Sequence, residues 1–170
     1  RYQIYWLSAT QQEYDHIRKT LREEEQQKLM LDGRTVDAVN TGEQQPEADH
    51  LIKQENSHTG TYREERFREV SFGGYFQYEM KTGGHQELFL MLRYWGDENE
   101  SETLEILIDG ELLETKPISW KRHRSGFINI EYKISQDMLV SKESVVVKFA
   151  GKTDTSPGRI FHVRLLKPEQ

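Results

Sequence analysis

The chain has 170 residues, a formal net charge of −6 and no cysteine. A negative net charge disfavours binding to a polyanion such as nucleic acid, and the lack of cysteine excludes disulfides, thiolate nucleophiles and cysteine-ligated zinc. Aromatic residues make up 11% of the chain, which predicts a folded domain, and no apolar run reaches the roughly 20 residues of a membrane-spanning helix.

Two elements are predicted before the main domain. Residues 1–6, RYQIYW, are rich in β-formers and are predicted to be the last strand of an upstream domain. Because the chain does not open with Met, we expect the natural N-terminus to be missing. A helix is predicted over 8–32, with Thr10 and Glu13 as a reciprocal cap and Gly33 ending it. Its apolar stripe is thin, so we expect it to act as a spacer between two bodies.

A flexible linker is predicted after this helix. Residues 34–49 have almost no large apolar side chain and contain Gly42 and Pro46. The predicted organisation is therefore 1–45 for the trailing strand, helix and linker, and 46–170 for the main domain.

Downstream of the linker, apolar and polar residues alternate with the period of half-buried β-strands. In one strand Leu88, Leu90 and Leu92 share a side, while Phe89 and Met91 make the opposite side apolar as well, which predicts a central or covered strand. Strands are predicted around 76–80, 88–94, 104–108, 111–116, 128–134, 145–149 and 161–165.

Turn chemistry supports the same architecture. Asp109-Gly110 between two of the predicted strands indicates a two-residue hairpin. About seven or eight strands with closely spaced turns predict an all-β fold. We expect a jelly-roll β-sandwich preceded by an N-terminal strand and a linker helix.

The sequence offers no convincing catalytic centre. Glu64 and Glu65 are neighbours in sequence and would point apart on a strand or a loop, so they are not expected to form the facing carboxylate pair of a glycosidase. The six histidines lack the spacing of a zinc site, and no Gly-x-Ser-x-Gly elbow occurs. The chain is therefore predicted not to be an enzyme in itself.

Five residues near predicted strand ends are candidates for carbohydrate binding. Trp95 and Trp120 lie where strands run into loops, a position from which an indole can offer a flat apolar face to a sugar ring. Arg93, Asp97 and Lys121 can supply hydrogen bonds to hydroxyl groups. The alternatives are that both tryptophans pack inside the protein or against another domain, and that the basic loop around Lys121 is only solvated.

Several segments of the chain resemble a known family. They are QQPEADHLIKQENSHTGTYREERFREVSFGGYFQYEM, LFLMLRYWGDE, LEILIDGELL, VVVKFAG and GRIFHVRLL. They are similar to the C-terminal domain of proteins related to glycoside hydrolase family 127, the β-L-arabinofuranosidase group. The resemblance implies an accessory domain in a polypeptide that hydrolyses plant-type glycans, with a catalytic (α/α)₆ barrel upstream as its partner. It also implies a periplasmic or secreted bacterial protein.

The main domain also resembles the galactose-binding-like jelly rolls of carbohydrate-binding module families 6 and 35. In those modules an early glutamate helps to hold a structural calcium ion, and Glu55 lies at about the matching place. The same modules usually add an aspartate in the last strand, where this chain has His162-Val163-Arg164. This departure weakens the expectation of calcium.

Two functions follow from the sequence. The first is structural: the sandwich packs on the catalytic barrel, or on a second copy in a homodimer, through Trp95, Phe89 and Met91. The alternative is a carbohydrate-binding module that presents loop aromatics to an oligosaccharide. The sequence favours the first function, because the aromatic residues near loops are few and each has a credible packing role.

Overall fold

The described part of the computed structural model contains nine β-strands and three α-helices. It covers residues 10–96, 103–117, 126–152 and 158–169. The helices are α1 (Gln11–Arg34), α2 (Gln44–Asp49) and α3 (Gln136–Leu139). The strands are β1 (Thr35–Asn40), β2 (Lys53–Tyr62), β3 (Glu65–Lys81), β4 (Leu88–Trp95), β5 (Thr103–Ile108), β6 (Glu111–Pro117), β7 (Phe127–Ile134), β8 (Ser144–Gly151) and β9 (His162–Leu166).

The strands form two antiparallel sheets with the core between them. One sheet has the order β1-β9-β4-β7 and the other the order β2-β3-β8-β5-β6. The predicted hairpin between β5 and β6 is present, with positive φ at Asp109 (48°) and Gly110 (83°). The predicted all-β sandwich is therefore confirmed, although its predicted leading strand at 1–6 lies outside the described residues.

Strand β4 shows how alternation builds the core. Its inward side chains are fully buried between the sheets, namely Leu88, Leu90, Leu92 and Tyr94. On the outer face Phe89 is half-buried, but Met91 is only 2% exposed. The register places Arg164 and Glu131 on either side of Met91, and long charged side chains can cover apolar surface with their methylene groups. Met91 is therefore not open for the packing contact that the sequence predicted.

Helix α1 belongs to a separate unit, Arg1–Arg34, while the sandwich forms the unit Thr35–Gln170. The backbone N–H of Thr10 donates to Glu13 Oε2 (2.8 Å), and the N–H of Glu13 donates to Thr10 Oγ1 (3.2 Å). The predicted reciprocal cap is thus confirmed. None of the residues of α1 is buried.

The end of α1 differs from the expectation. Gly33 lies inside the last helical turn and does not have the positive φ of a terminating glycine. The helix ends at Arg34, because the next residue already starts β1. No helix among the described residues is long and apolar enough to cross a membrane.

The predicted linker at 34–49 is also wrong. Residues of this segment form β1 and α2, and β1 pairs with β9 so that Val39 lies fully buried opposite Val163. The sandwich consequently begins at Thr35 and not at residue 46. An edge strand takes much of its stability from backbone pairing on one side, so a single buried valine is enough to anchor a polar segment.

Strands β2 and β3 extend into a hairpin arm, residues 57–70, which a bulge separates from the rest of their ladder. At the bulge Asn56 opposes the four residues 71–74, and both Asn56 (49°) and Gly73 (69°) have positive φ. A Cβ at Gly74 would lie 2.5 Å from a carbonyl oxygen of β2, so glycine is required for this close approach. Bulges of this kind bend a strand and redirect its side chains.

The arm packs through Phe67, whose ring lies across Gly60. A Cβ at Gly60 would meet the ring at 2.6 Å, and the ring is already buried against Phe161 (centroids 5.6 Å apart). We expect Gly60→Ala to lower the free energy of unfolding by about 1–3 kcal/mol, measured by urea denaturation. The control is Gly33→Ala, where nothing lies within 4 Å of the added carbon and no loss is expected. Equal stability of Gly60→Ala and the parent would contradict this packing.

Candidate functional site

The tip of the hairpin arm is a two-residue turn in a strained conformation. Tyr62 pairs with Glu65, so Arg63 and Glu64 form the turn, and their φ angles are 50° and 68°. Two positive φ angles define the type I′ hairpin, in which Asn and Gly are the usual residues. For other residues this conformation costs roughly 1–2 kcal/mol each. Persistent backbone strain clusters at functional sites, which makes this tip a candidate.

Arg63 lies over two aromatic rings. Its guanidinium carbon is 5.5 Å from the ring centroid of Trp95 and 5.7 Å from that of Tyr62. The two rings meet edge to face with centroids 5.2 Å apart, and Trp95 meets Phe127 in the same way at 5.0 Å. Trp95 is half-buried. The indole predicted to bind sugar is thus held by three neighbours while part of its surface stays accessible to solvent.

Arg93, another predicted sugar contact, is fixed by protein groups. Its Nε and Nη2 atoms donate to the two carboxylate oxygens of Glu65 at 2.9 Å each, and Nη1 donates to Asn129 Oδ1 at 3.2 Å. The guanidinium carbon also lies 4.5 Å from the centroid of Phe127. A two-pronged ion pair of this kind restrains both partners. Arg93 is therefore held by Glu65, Asn129 and Phe127, and direct contact with a sugar stays a prediction.

A third arginine and two more aromatic rings contact the residues around Trp95 and Tyr62. Arg159 lies over the rings of Tyr62 and Phe67 at 4.9 Å each, and Phe161 contacts Phe67 at 5.6 Å and Phe127 at 4.9 Å. We refer to the whole assembly as the arginine–aromatic cluster. It consists of Tyr62, Phe67, Trp95, Phe127, Phe161, Arg63, Arg93 and Arg159.

Three of the five predicted sugar-binding residues, Asp97, Trp120 and Lys121, lie outside the described residues, so their roles stay predictions. Sequence reasoning did not single out Tyr62 or Arg63. The only pattern that points to them is an aromatic residue followed by a short charged run, which is common in solvated loops.

Glu55, the predicted calcium ligand, is exposed on β2 opposite Tyr75. Across the ranges that the structure describes, no three His, Asp or Glu side chains are grouped so that they could hold a metal ion. Calcium usually takes about six to eight oxygen ligands. Calcium binding at Glu55 stays a prediction.

A second polar cluster, buried, lies where α2 meets the arm. The Nε and Nη2 atoms of Arg68 donate to the two carboxylate oxygens of Glu47 at 2.7 and 2.8 Å. Glu47 also accepts from the Tyr78 hydroxyl (2.6 Å) and the Gly42 amide (2.9 Å), and it is only 4% exposed. A polar cavity of about 490 Å³ opens beside this pair.

The ionisation of this cluster follows from its contacts. Burial raises the pKa of Glu47, but hydrogen bonds from Arg68, Tyr78 and the Gly42 amide outweigh it and hold the pKa below its usual range. Burial also raises the pKa of the Tyr78 phenol, and the negative charge of Glu47 adds to this effect. Because the buried charges of Glu47 and Arg68 have hydrogen-bond partners inside the domain, the pair is best explained as a contact that stabilises the fold.

Comparison with known proteins gives a family and a fold. A protein-family model described as a family of unknown function, DUF6805, matches residues 30–166. The comparison with curated proteins gave no match.

Solved structures share the fold at low identity. A family 35 carbohydrate-binding module from Clostridium thermocellum is 11% identical with a TM-score of 0.50, and the match covers 69% of this chain and 92% of that one. A plant receptor-like kinase is 14% identical with a TM-score of 0.52, over 78% of this chain and 42% of the kinase chain. An exo-β-1,3-galactanase from Phanerochaete chrysosporium is 8% identical with a TM-score of 0.50, and the match covers 70% of this chain and 28% of the galactanase chain. Similarity at this level concerns the fold alone.

Proposed function

The chain belongs to the DUF6805 family of unknown function, and we propose that its sandwich is a carbohydrate-binding module that receives a sugar on the arginine–aromatic cluster. The observation that carries the proposal is the solvent-accessible indole of Trp95, fixed by Tyr62, Phe127 and Arg63. The shared fold of the family 35 carbohydrate-binding module is consistent with it.

The chemistry of the cluster suits a saccharide. The C–H groups on one side of a sugar ring pack on an aromatic face, while guanidinium N–H groups can donate hydrogen bonds to hydroxyl oxygens. Because neighbouring rings already hold Trp95 and Tyr62 in place, little side-chain freedom is lost on binding. Arg63 is exposed at the tip and projects from a turn that has only two residues.

The wider role is proposed from the sequence resemblance to proteins related to glycoside hydrolase family 127. In this proposal the module is an accessory domain of a polypeptide that hydrolyses plant-type glycans, and it does not cleave the glycosidic bond itself. Packing on a catalytic barrel, the function that the sequence favoured, receives less support, because Met91 is not open for a partner. Association with a second copy stays a prediction.

Titration with arabinan, pectin and xylan fragments, followed by calorimetry and by amide chemical shifts, tests the proposal. We expect saturable binding of at least one fragment at millimolar sugar or below. Trp95→Ala is expected to weaken that binding by about tenfold or more, since stacking contributes on the order of 1–2 kcal/mol.

The matched control is Tyr14→Ala, which removes an exposed aromatic side chain on α1 and should leave affinity unchanged. Chemical-shift changes that centre on residues outside the arginine–aromatic cluster would assign binding to another surface. If none of the fragments binds saturably, the proposal is wrong.

A further inference from the structure

A hydrogen-bonded chain of a serine, a histidine and a glutamate lies on the hairpin arm next to the bulge. Ser71 Oγ is 3.3 Å from His58 Nδ1, and His58 Nε2 is 2.5 Å from Glu69 Oε1. The register places His58 directly opposite Glu69, and Ser71 follows two residues later as the first residue of the bulge, where its hydroxyl reaches His58. None of them belongs to the arginine–aromatic cluster.

The partners define the protonation of the imidazole. An ionised carboxylate only accepts hydrogen bonds, so the proton of neutral His58 lies on Nε2, where it is donated to Glu69. Nδ1 then carries the lone pair and accepts from the Ser71 hydroxyl. Arg159 Nε lies 3.8 Å from the second oxygen of Glu69. The order of nucleophile, base and orienting carboxylate is that of an activated serine, with the roles of the two ring nitrogens exchanged.

The backbone around the serine is unusual for a sheet. Ser71 is the first of the four residues that oppose Asn56 at the bulge, so its position is set outside the regular ladder. Gly73, two residues on, has a positive φ. Phe72, the next residue along the chain, is 63% exposed. Bulges are over-represented beside active sites because they redirect a side chain.

We propose that Ser71, His58 and Glu69 form a hydrolytic site for small, accessible acyl esters, such as acetyl groups on saccharide hydroxyls. Ser71 Oγ forms a bond to the carbonyl carbon while its proton moves to His58 Nδ1. The bond from that carbon to the alcohol oxygen then breaks, and the proton passes from His58 to the departing alcohol. Water attacks the acyl-serine with the same proton transfers, which releases the acid and restores Ser71. Glu69 acts as a positioning residue.

Hydrolysis of 4-nitrophenyl acetate by the whole chain tests the site. We expect Ser71→Ala and His58→Gln each to lower the rate by about 100-fold or more, the scale of general-base assistance. The matched controls are Ser144→Ala and His85→Gln, which alter a serine on β8 and an exposed histidine of the β3–β4 turn, and both should keep the parent rate. Glu69→Gln should lower the rate and move the imidazole proton between the two ring nitrogens, as read from ¹⁵N shifts.

Mass analysis of proteolytic peptides from the unmodified chain, quenched during turnover, provides a test that needs no variant. A single added acetyl group on the peptide that contains Ser71 supports the site. Acetyl on lysine or histidine, a parent rate no faster than buffer, or an unchanged rate in Ser71→Ala would overturn it and leave the three residues as a surface contact that stabilises the arm. The outcome is independent of sugar binding.

Discussion

Arg68→Met is expected to lower the free energy of unfolding by about 3–5 kcal/mol, because it leaves the carboxylate of Glu47 buried without its counter-ion. Glu47→Gln should cost a similar amount, since it leaves the Arg68 guanidinium buried without a counter-ion. In the double variant the amide oxygen of Gln can still accept from Tyr78 and the Gly42 amide, so we expect a loss well below the sum of the two single losses. Chemical denaturation of the four proteins measures this coupling.

The ion pair of Glu47 and Arg68 also makes the free energy of unfolding depend on pH. The pKa of Glu47 is lowered in the folded state, so its contribution to stability is complete above the unfolded pKa of about 4.3 and is lost as the pH falls through the folded value. The difference in unfolding free energy between the parent and Glu47→Gln should therefore be largest above about pH 5 and shrink below about pH 4. A difference that does not change over this range would contradict the ionised state of the pair.

Replacing the arm tip with Asn-Gly, in the double variant Arg63→Asn and Glu64→Gly, is expected to raise stability while it weakens sugar binding. Both positions have positive φ, and residues suited to a type I′ turn should recover about 1–2 kcal/mol or more of backbone strain. The same change removes the guanidinium over Trp95 and Tyr62. We expect affinity for the best fragment to fall by about tenfold, in titrations run beside thermal denaturation.

Glu64→Gly alone separates the two effects, because it relieves strain at one position and keeps Arg63. The free energy of unfolding of Glu64→Gly should be about 1 kcal/mol higher than that of the parent, and its affinity for the sugar fragment should be unchanged. If the double variant gains stability without losing affinity, Arg63 has no role in binding. If neither variant gains stability, the turn is not strained as its φ angles indicate.

Much of the sandwich could be predicted from period-two alternation, but its polar edges could not. Strands such as β4 and β8 bury one face, so their apolar residues mark them in the sequence. Strand β1 fully buries only Val39, and β2 has no fully buried residue. These edge strands are held by backbone pairing, which leaves almost no trace in side-chain chemistry. For this reason the segment at 34–49 resembled a linker.

The candidate sites were less predictable, because each depends on contacts between distant parts of the chain. Trp95 was found because a tryptophan at a strand end is conspicuous. Its neighbours Tyr62 and Phe127 come from other strands, and only the register brings them together. The chain of Ser71, His58 and Glu69 requires both the pairing of β2 with β3 and the bulge, and in the sequence only the Gly73-Gly74 pair points to the bulge.

The pairing of β1 with β9 decides where the sandwich can be shortened. A chain that starts at residue 46 would lose β1. The outer edge of β9 would then present free N–H and C=O groups along a strand of five residues. An exposed edge of this kind promotes pairing with other chains and cross-β aggregation. A chain that starts at Thr35 keeps this edge covered. The compact unit of the sandwich therefore begins at Thr35, in sequence that reads as a hydrophilic tail.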